Sequence, residues 1–446
     1  MRLLLVGLLA IAGVLAMPFP GRADTIPGGR FGEVHVSAPK GPMRGIMVLF
    51  SRVSGWTDAD KQTADALAAH DILVVGVDTA RYLTTLATVP EACHRLFNDV
   101  TAISGQLQRE QSAASYYAPI VAGIGDSGLI AEQVLSGAPS NTIAGAISID
   151  PTGSVDARVR QCPPEPSIVH DAGLPGFWSI AVTTDLDPSI NATVVGLRHA
   201  GAPIDIQHFG GGTAESAMLL ALSASHPGPQ EPDATEVAEL PLIELPAQRP
   251  SSMLAVVISG DGGWHDLDQT IARDLQDWGV SVVGIDSLHY FWSKKSPEET
   301  ARTVDSVIRT YAARWHASSV ALIGYSFGAD VLPFVYNRMP ARERDKVKLI
   351  ALLGFSKAAD FEIHITGWLG LPPTAAALPE QPEISKIPPS LVQCFYGEDE
   401  TDSMCSELAK LNMAVIHTPG GHHFGQDYQH LAQVILNGWR RRLPGG

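Results

Sequence analysis

Residues 320–328 read Val320-Ala321-Leu322-Ile323-Gly324-Tyr325-Ser326-Phe327-Gly328, an apolar run that ends in a serine placed between two glycines. The run is typical of a buried strand, and the residues after it, through Asn337, have the apolar spacing of a helix. A G-x-S-x-G pattern between a strand and a helix predicts a strained turn that lifts the serine hydroxyl clear of the sheet. We therefore predict that Ser326 is a catalytic nucleophile.

Apolar runs of the same kind recur on both sides of this motif. In the second half of the chain we predict strands at 254–258, 281–285, 320–323, 349–353, 391–396 and 414–417, and helices at 268–278 and 297–315. Nearly continuous apolar strands indicate a parallel sheet that is covered on both faces. Strands alternating with helices through right-handed crossovers form a doubly wound α/β fold.

A serine hydroxyl attacks a substrate only when a base removes its proton. We predict that His422 is this base, because it follows Pro419-Gly420-Gly421 directly after the last predicted strand, where a loop can reach the serine. The neighbouring His423 is the alternate.

An acid must orient the imidazole, and in this fold it lies between the serine and the histidine in the sequence. The loop after the strand at 391–396 offers Glu398, Asp399, Glu400 and Asp402. We favour Asp399, which is closer to the strand end, and keep Asp402 as the alternate.

Attack on an ester also needs backbone N–H donors for the developing negative charge. Phe327 supplies one predicted donor. The loop Ser259-Gly260-Asp261-Gly262-Gly263-Trp264 supplies the other, from Gly260, Asp261 or Gly262. This loop has no Gly-Lys-Ser/Thr and no G-x-G-x-x-G, which excludes a P-loop and a dinucleotide site there. The cysteine spacing does not suggest zinc, so we expect no metal and no cofactor.

Two segments of the chain repeat each other. Gly55-Trp56-Thr57-Asp58-Ala59-Asp60 recurs as Gly263-Trp264-His265-Asp266-Leu267-Asp268, and each is followed at the same distance by an apolar run, 74–78 and 282–286. The repeat period is far too long for a solenoid and predicts an internal duplication. The predicted fold class is α/β, with two tandem α/β-hydrolase-like domains at 24–225 and 251–446. Between them, residues 226–250 are rich in proline and acids and predict an extended linker.

The first copy lacks the catalytic residues. Asp126 stands opposite Ser326 when Gly128 is matched with Gly328, and Thr213 stands opposite His422. Ser127 is an alternative nucleophile, but no histidine follows at the matching place. We therefore predict that the first domain is degenerate and non-catalytic.

The composition is that of an acidic globular protein. The 446 residues are 45% hydrophobic and carry a formal charge of −16, which disfavours nucleic acid as a partner. Residues 1–23 combine Arg2, an apolar run and a small-residue cleavage site, and so predict a secretory signal peptide; an uncleaved anchor is the alternative. Outside the cytoplasm disulfides persist, and we pair Cys93 with Cys162 and Cys394 with Cys405, each within one half.

The sequence around the predicted turn at Ser326 also resembles that of a known family. Residues 323–334, with Asn337-Arg338 and Pro340, resemble the VirJ/AcvB group of bacterial periplasmic virulence proteins, as do 259–268 and 419–424. The resemblance covers 250–446, and the doubled length is similar to the longer AcvB form. It implies hydrolysis of lysyl-phosphatidylglycerol to lysine and phosphatidylglycerol at the outer face of the inner membrane, hence a periplasmic protein with an aminoacylated phospholipid as its substrate.

Such a substrate has a cationic acyl group that carboxylates would recognise. Asp261 and Asp330 are the candidates, and Tyr325 and Trp264 are further candidate substrate contacts. For Asp330 a structural hydrogen bond to neighbouring backbone is the alternative.

Two other functions stay open at this point. The chain could be a binding or escort factor that retains the hydrolase fold as a scaffold and meets secretion-system proteins, or it could be a general lipase or esterase. The insertion at 356–389, where Phe361, Ile363 and Ile365 alternate with polar residues, predicts a half-buried strand, with a lipid-facing lid as the alternative.

Overall fold

The computed structural model describes residues 25–139, 141–153, 160–162, 173–210, 212–225, 237, 240–364 and 376–443. The predicted signal peptide at 1–23 lies outside the described residues, as do residues 365–375 of the insertion. Within the described part of the chain, no helix has both the length and the apolar character needed to cross a bilayer.

The first half of the chain forms a mixed sheet of eight strands with helices packed on its faces. The strands are β1 (Thr25–Pro27), β2 (Glu33–Ser37), β3 (Gly45–Phe50), β4 (Ile72–Val77), β5 (Ile120–Ile124), β6 (Gly145–Ile149), β7 (Phe177–Val182) and β8 (Ile204–His208). The helices are α1 (Asp58–Ala68), α2 (Thr79–Thr88), α3 (Leu96–Glu110), α4 (Gly128–Ser136), α5 (Pro188–His199) and α6 (Ala214–Ser225).

The second half forms a sheet of seven strands and a separate sheet of two short strands. The strands are β9 (Leu242–Leu245), β10 (Met253–Ile258), β11 (Ser281–Ile285), β12 (Ser319–Tyr325), β13 (Val347–Leu353), β14 (Ala358–Ala359), β15 (Leu378–Pro379), β16 (Val392–Gly397) and β17 (Ala414–Thr418). The helices are α7 (Asp266–Asp277), α8 (Ser287–Tyr290), α9 (Pro297–Arg314), α10 (Phe327–Arg338), α11 (Ala341–Arg344), α12 (Gln381–Ile384), α13 (Cys405–Leu408) and α14 (Tyr428–Arg440).

The two sheets share one strand order. The first is ordered β1-β2-β4-β3-β5-β6-β7-β8 and the second β9-β11-β10-β12-β13-β16-β17, so the second matches the first without β1. In the first sheet β1–β2 and β2–β4 are the antiparallel pairs, in the second β9–β11 is, and the other neighbouring strands are parallel. The α/β fold class predicted from the sequence is confirmed; the duplication remains a prediction from the repeated residues.

The repeated Gly-Trp segments have the same packing role in both halves. Trp56 lies against Gly76 of β4, and Trp264 lies against Gly284 of β11. A Cβ atom on either glycine would overlap the indole ring, so the glycine is required by the close approach of the tryptophan. This contact explains why the repeat keeps a glycine at a fixed distance from each tryptophan.

The described end of the predicted linker is part of the second sheet. Residues Leu242–Leu245 form β9, which pairs antiparallel with β11, so the linker prediction for 226–250 is wrong at these positions. This strand was not predicted because its apolar run is short and lies among prolines and acids. Proline is nevertheless compatible with an edge strand.

Both predicted disulfides are present. Cys93 joins Cys162 in the first half, and Cys394 joins Cys405 between β16 and α13. Disulfides of this kind are consistent with a secreted protein.

The insertion contributes to the core of the second half. Phe361 and Ile363 are buried, and the Phe361 ring meets Phe291 and Phe334 edge-on. The described part of the insertion therefore turns these two apolar side chains inward, away from any lipid.

Candidate active site

Ser326 occupies a strained turn between β12 and α10. Its backbone has φ 50° and ψ −118°, a conformation that L residues rarely adopt outside sites that require it. Both flanking glycines are required sterically: a Cβ on Gly328 would overlap the carbonyl oxygen of Ile258, and one on Gly324 would overlap the carbonyl oxygen of Gly328. The turn predicted from the G-x-S-x-G pattern is present, with the serine at the carboxyl end of the central strand.

His422 lies beside this serine. Its Nε2 atom is 2.8 Å from Ser326 Oγ, within hydrogen-bond distance. The loop after β17 brings the ring over the sheet, and Gly354, directly after β13, leaves room for it. Gly354 has φ +65°, and a Cβ there would lie 2.6 Å from His422 Cε1. Gly354 was not among the predicted site residues, although a glycine directly after a strand at this edge of the sheet was the available signal.

The acid that contacts the imidazole is Glu400. Its Oε1 atom is 2.6 Å from His422 Nδ1, and its Oε2 atom accepts a 2.7 Å hydrogen bond from the Gly397 N–H. Asp399 is exposed, and its backbone N–H donates to the Gly420 carbonyl at 3.0 Å. The choice of Asp399, with Asp402 as alternate, is therefore corrected to Glu400.

The physical reason is the turn that follows β16. The Glu400 N–H donates to the Gly397 carbonyl at 3.0 Å, which folds the chain back toward the sheet. Glu400 then points inward, and its extra methylene group reaches the ring.

Glu400 and His422 influence each other's pKa in the direction that favours an ion pair between them. Burial would raise the pKa of Glu400, but hydrogen bonds from His422 and from the Gly397 backbone outweigh it and lower that pKa. Burial would lower the pKa of His422, but its hydrogen bond and charge interaction with Glu400 outweigh that effect and raise it. The carboxylate thus stabilises the imidazolium that forms when His422 takes the serine proton.

His423, the alternate base, contacts a different group. Its Nδ1 atom is 3.2 Å from the Tyr325 hydroxyl, whereas the hydrogen bond to Ser326 Oγ comes from His422. Tyr325 lines the cleft next to the serine, and burial raises the pKa of its hydroxyl. Tyr325 therefore remains a candidate substrate contact.

Both predicted sources of oxyanion donors lie next to the serine. Phe327 is the first residue of α10, and N–H groups in the first turn of a helix have no intrahelical acceptor. The loop 259–264 passes the nucleophile closely, since a Cβ on Gly260 would lie 3.7 Å from Ser326 Cβ. Asp261 and Gly262 follow Gly260 in the same loop and line the same cleft.

The predicted substrate contacts separate into two groups. Asp261 lines the cleft, and burial raises the pKa of its carboxyl, partly offset by the nearby His422. Asp330 is buried and accepts hydrogen bonds from Ser356 N at 2.8 Å and Ser356 Oγ at 2.6 Å. Trp264 is 3% exposed and packs on Gly284. Asp330 and the Trp264 ring therefore have structural roles, and Asp261 is the carboxylate that faces the cleft.

Ser326 opens into a cleft of about 610 Å³ that both halves of the chain line. The second half contributes residues 260–263 and 265–268, from the loop after β10 and the start of α7, with Tyr325, Ser326, His422, His423, Gln426 and Tyr428. The first half contributes Arg95, Phe97, Asn98 and Pro139. Among the described residues, no group of three or more His, Cys, Asp or Glu side chains is arranged to hold a metal.

At the corresponding place in the first half, the turn after β5 has a glycine. Gly125 has φ +63°, as Ser326 has φ +50° after β12, and a Cβ on Gly123 would overlap the Ser127 carbonyl just as one on Gly324 would overlap that of Gly328. The predicted match of Asp126 with Ser326 is therefore wrong by one residue, because it was anchored on Gly128. Asp126 Oδ1 accepts a 3.0 Å hydrogen bond from the Val53 N–H, in the loop that matches 259–263. Ser127 is fully buried and donates its hydroxyl hydrogen bond to the Ser51 carbonyl. This turn therefore presents a glycine where the second half has its serine, and its own serine is buried.

Comparison with known proteins places the chain in a family. The model of the family described as bacterial virulence protein (VirJ) matches residues 45–114 and 252–443, more than half of the chain. No curated protein matches the sequence.

Solved structures of α/β hydrolases are also similar to part of the chain. A lidless α/β serine hydrolase from Xanthomonas campestris shares 17% identity over 46% of this chain and 89% of its own, with a TM-score of 0.32. A membrane phospholipase A described as a bacterial virulence factor shares 17% identity over 45% of this chain and 82% of its own, with a TM-score of 0.32. Est1E from Butyrivibrio proteoclasticus, bound to ferulic acid, shares 12% identity over 45% and 93%, with a TM-score of 0.32.

Proposed function

From the premise that this chain belongs to the VirJ family of bacterial virulence proteins, we propose that it is a periplasmic serine hydrolase that cleaves the aminoacyl ester of lysyl-phosphatidylglycerol. The observation that carries the proposal is the position of His422 between the acid and the serine. Its Nδ1 atom is 2.6 Å from Glu400 Oε1, and its Nε2 atom is 2.8 Å from Ser326 Oγ. A base-activated serine with backbone donors beside it is suited to acyl transfer.

The reaction follows from this geometry in two halves. Ser326 Oγ attacks the ester carbonyl carbon while its proton moves to His422 Nε2, and the N–H groups of Phe327 and the loop 260–262 stabilise the oxyanion. His422 then gives that proton to the departing glycerol oxygen, which releases phosphatidylglycerol and leaves a lysyl ester on Ser326. Water, deprotonated by His422, attacks this ester; lysine leaves, and Ser326 regains its proton.

Asp261 supports a cationic acyl group. It is the candidate carboxylate in the loop beside the nucleophile, and it lines the cleft that holds Ser326 and His422. The lysyl group carries two ammonium charges near neutral pH, and the Asp261 carboxylate favours such a group over a fatty-acyl chain. A carboxylate at this place disfavours a general lipase.

The test is product analysis on purified lipid. The protein is incubated with vesicles of lysyl-phosphatidylglycerol or alanyl-phosphatidylglycerol, or with a fatty-acyl p-nitrophenyl ester. Lipids are separated by chromatography, and Ser326→Ala is the matched inactive variant. We expect phosphatidylglycerol to appear fastest from the lysyl lipid and to be absent with Ser326→Ala. Preference for the fatty-acyl ester would support a general esterase, and a folded Ser326→Ala that retained the biological phenotype would support an escort factor.

A further inference from the structure

We propose that Arg95, from the first half of the chain, binds the phosphodiester of the ester substrate in the cleft of Ser326. This inference rests on the proposed function, and it assigns the first half a part in substrate recognition. Arg95 is the residue directly before α3, it is exposed, and it lines the same cleft as Ser326 and His422.

Helix α3 is fixed to the second half at its far end. The Arg109 guanidinium lies 3.6 Å from the centre of the Trp292 ring and donates hydrogen bonds to the carbonyls of Trp292 at 2.6 Å and Ile363 at 2.5 Å. The Trp292 indole N–H in turn donates to the Ala113 carbonyl at 3.0 Å. These contacts join the two halves and set where the beginning of α3 lies relative to Ser326.

The segment that carries Arg95 is fixed from the other side as well. Cys93 is held by its disulfide to Cys162, and the buried His94 exchanges backbone hydrogen bonds with Arg160 and Cys162 at 2.5 and 3.1 Å. A side chain whose backbone is held on both sides loses less conformational entropy when it binds a ligand. The Cys93–Cys162 disulfide therefore helps to present Arg95 to the cleft.

The charges around the cleft have a polarity that matches the substrate. Among the described residues that line it, Arg95 is the one Lys or Arg, and it comes from the first half, whereas the carboxylate that faces the cleft, Asp261, comes from the second half. Lysyl-phosphatidylglycerol carries ammonium charges on its acyl side and one phosphodiester charge on its alcohol side. With the ester at Ser326, the acyl group is placed toward Asp261 and the phosphodiester toward Arg95, whose guanidinium suits phosphate oxygens.

The test compares Arg95→Ala and Arg95→Lys with Arg342→Ala, a control arginine that is 84% exposed on α11. Calorimetry measures binding of glycerophosphoglycerol, the soluble headgroup that carries the phosphodiester, and kinetics are followed with lysyl-phosphatidylglycerol and with p-nitrophenyl acetate, which has no phosphate. For Arg95→Ala we expect about 10- to 100-fold weaker headgroup binding and a similar rise in KM for the lysyl lipid, because a charge-assisted hydrogen bond is lost. Arg95→Lys should recover part of the loss, and p-nitrophenyl acetate turnover should stay within about twofold, since it needs only the triad.

Other results would overturn the inference. Headgroup binding that is absent in the wild type, or that is equal in Arg95→Ala and Arg342→Ala, would exclude a phosphodiester site at Arg95. An equal loss on both esters would assign Arg95 a structural role. If the wild type bound the headgroup through Arg95 yet left the lysyl lipid intact, the proposed reaction would fail while the phosphodiester site stood.

Discussion

At the scale of single residues, the acid of the triad was the hardest to predict. The G-x-S-x-G pattern identifies Ser326 because both of its glycines are required by close backbone contacts, that of Gly324 within the motif and that of Gly328 with Ile258. The acid is set by a turn: Glu400 reaches His422 because its own backbone folds back on Gly397, and four acids within five positions give no local signal for that turn. The contact of Gly354 was not predicted either, because its partner, the His422 ring, lies far along the chain.

The first prediction separates Glu400 from its neighbours. Glu400→Gln should lower kcat for ester hydrolysis by about 10³- to 10⁴-fold, because the imidazole loses the carboxylate that orients it and stabilises its charge. Asp399→Asn and Asp402→Asn are the matched controls and should stay within about twofold. A large loss in Asp399→Asn with a small one in Glu400→Gln would return the acid to the residue favoured from the sequence.

The pH profile tests the same contact. Glu400 raises the pKa of His422, and the base works only when its imidazole is neutral. Activity should therefore fall on the acid side with a midpoint above about 6.5, the ordinary histidine value. In Glu400→Gln the charged form loses its partner, so the midpoint of the residual activity should move to lower pH. A midpoint that rises in this variant would contradict the assignment.

At the scale of elements, the predicted strands and helices of the second half agree with the structure to within a few residues. Their apolar runs are long and are bounded by turn residues, as in Ser281–Ile285, where the predicted and observed strands coincide. Strand β9 was missed because it is short and lies among prolines and acids. Its partner, β11, is far along the chain, and composition alone does not reveal such a pairing.

A glycine pair tests how β13 and the histidine loop fit together. Gly354 and Gly279 both have positive φ, +65° and +86°, but a Cβ on Gly354 would meet His422, whereas nothing lies within 4 Å of one on Gly279. Alanine at either site should cost about 1–2 kcal/mol of backbone strain. Only Gly354→Ala should also lower kcat, by about 10²-fold or more, because it displaces the base. Thermal unfolding and ester kinetics on both variants check this, and equal activities would refute the contact.

At the scale of the whole molecule, the repeated Gly-Trp segments predict two α/β units, and the structure has two large sheets that share one strand order. How the halves meet could not be predicted, because no local pattern marks Arg109 as the partner of Trp292. The cleft lined by both halves depends on that contact, so the part of the first half in the site emerged only from the structure.

The interface itself can be weakened at one residue. Arg109→Ala removes the stacking on Trp292 and two hydrogen bonds, and should lower the free energy of unfolding by about 1–3 kcal/mol. It should also raise KM for lysyl-phosphatidylglycerol while p-nitrophenyl acetate turnover changes little. Arg314→Ala, on an exposed ion pair with Glu244, is the control and should cost at most about 1 kcal/mol. Equal stability and equal KM in the two variants would argue against a functional interface.

The central claim is that the lysyl group forms an ester with Ser326 during the reaction. Intact-protein mass spectrometry of an acid-quenched reaction with lysyl-phosphatidylglycerol tests it most directly. We predict a covalent lysyl adduct that maps to the peptide containing Ser326 and disappears in Ser326→Ala together with lysine release. Lysine release that continues in the folded Ser326→Ala protein, with no adduct in either form, would contradict the account.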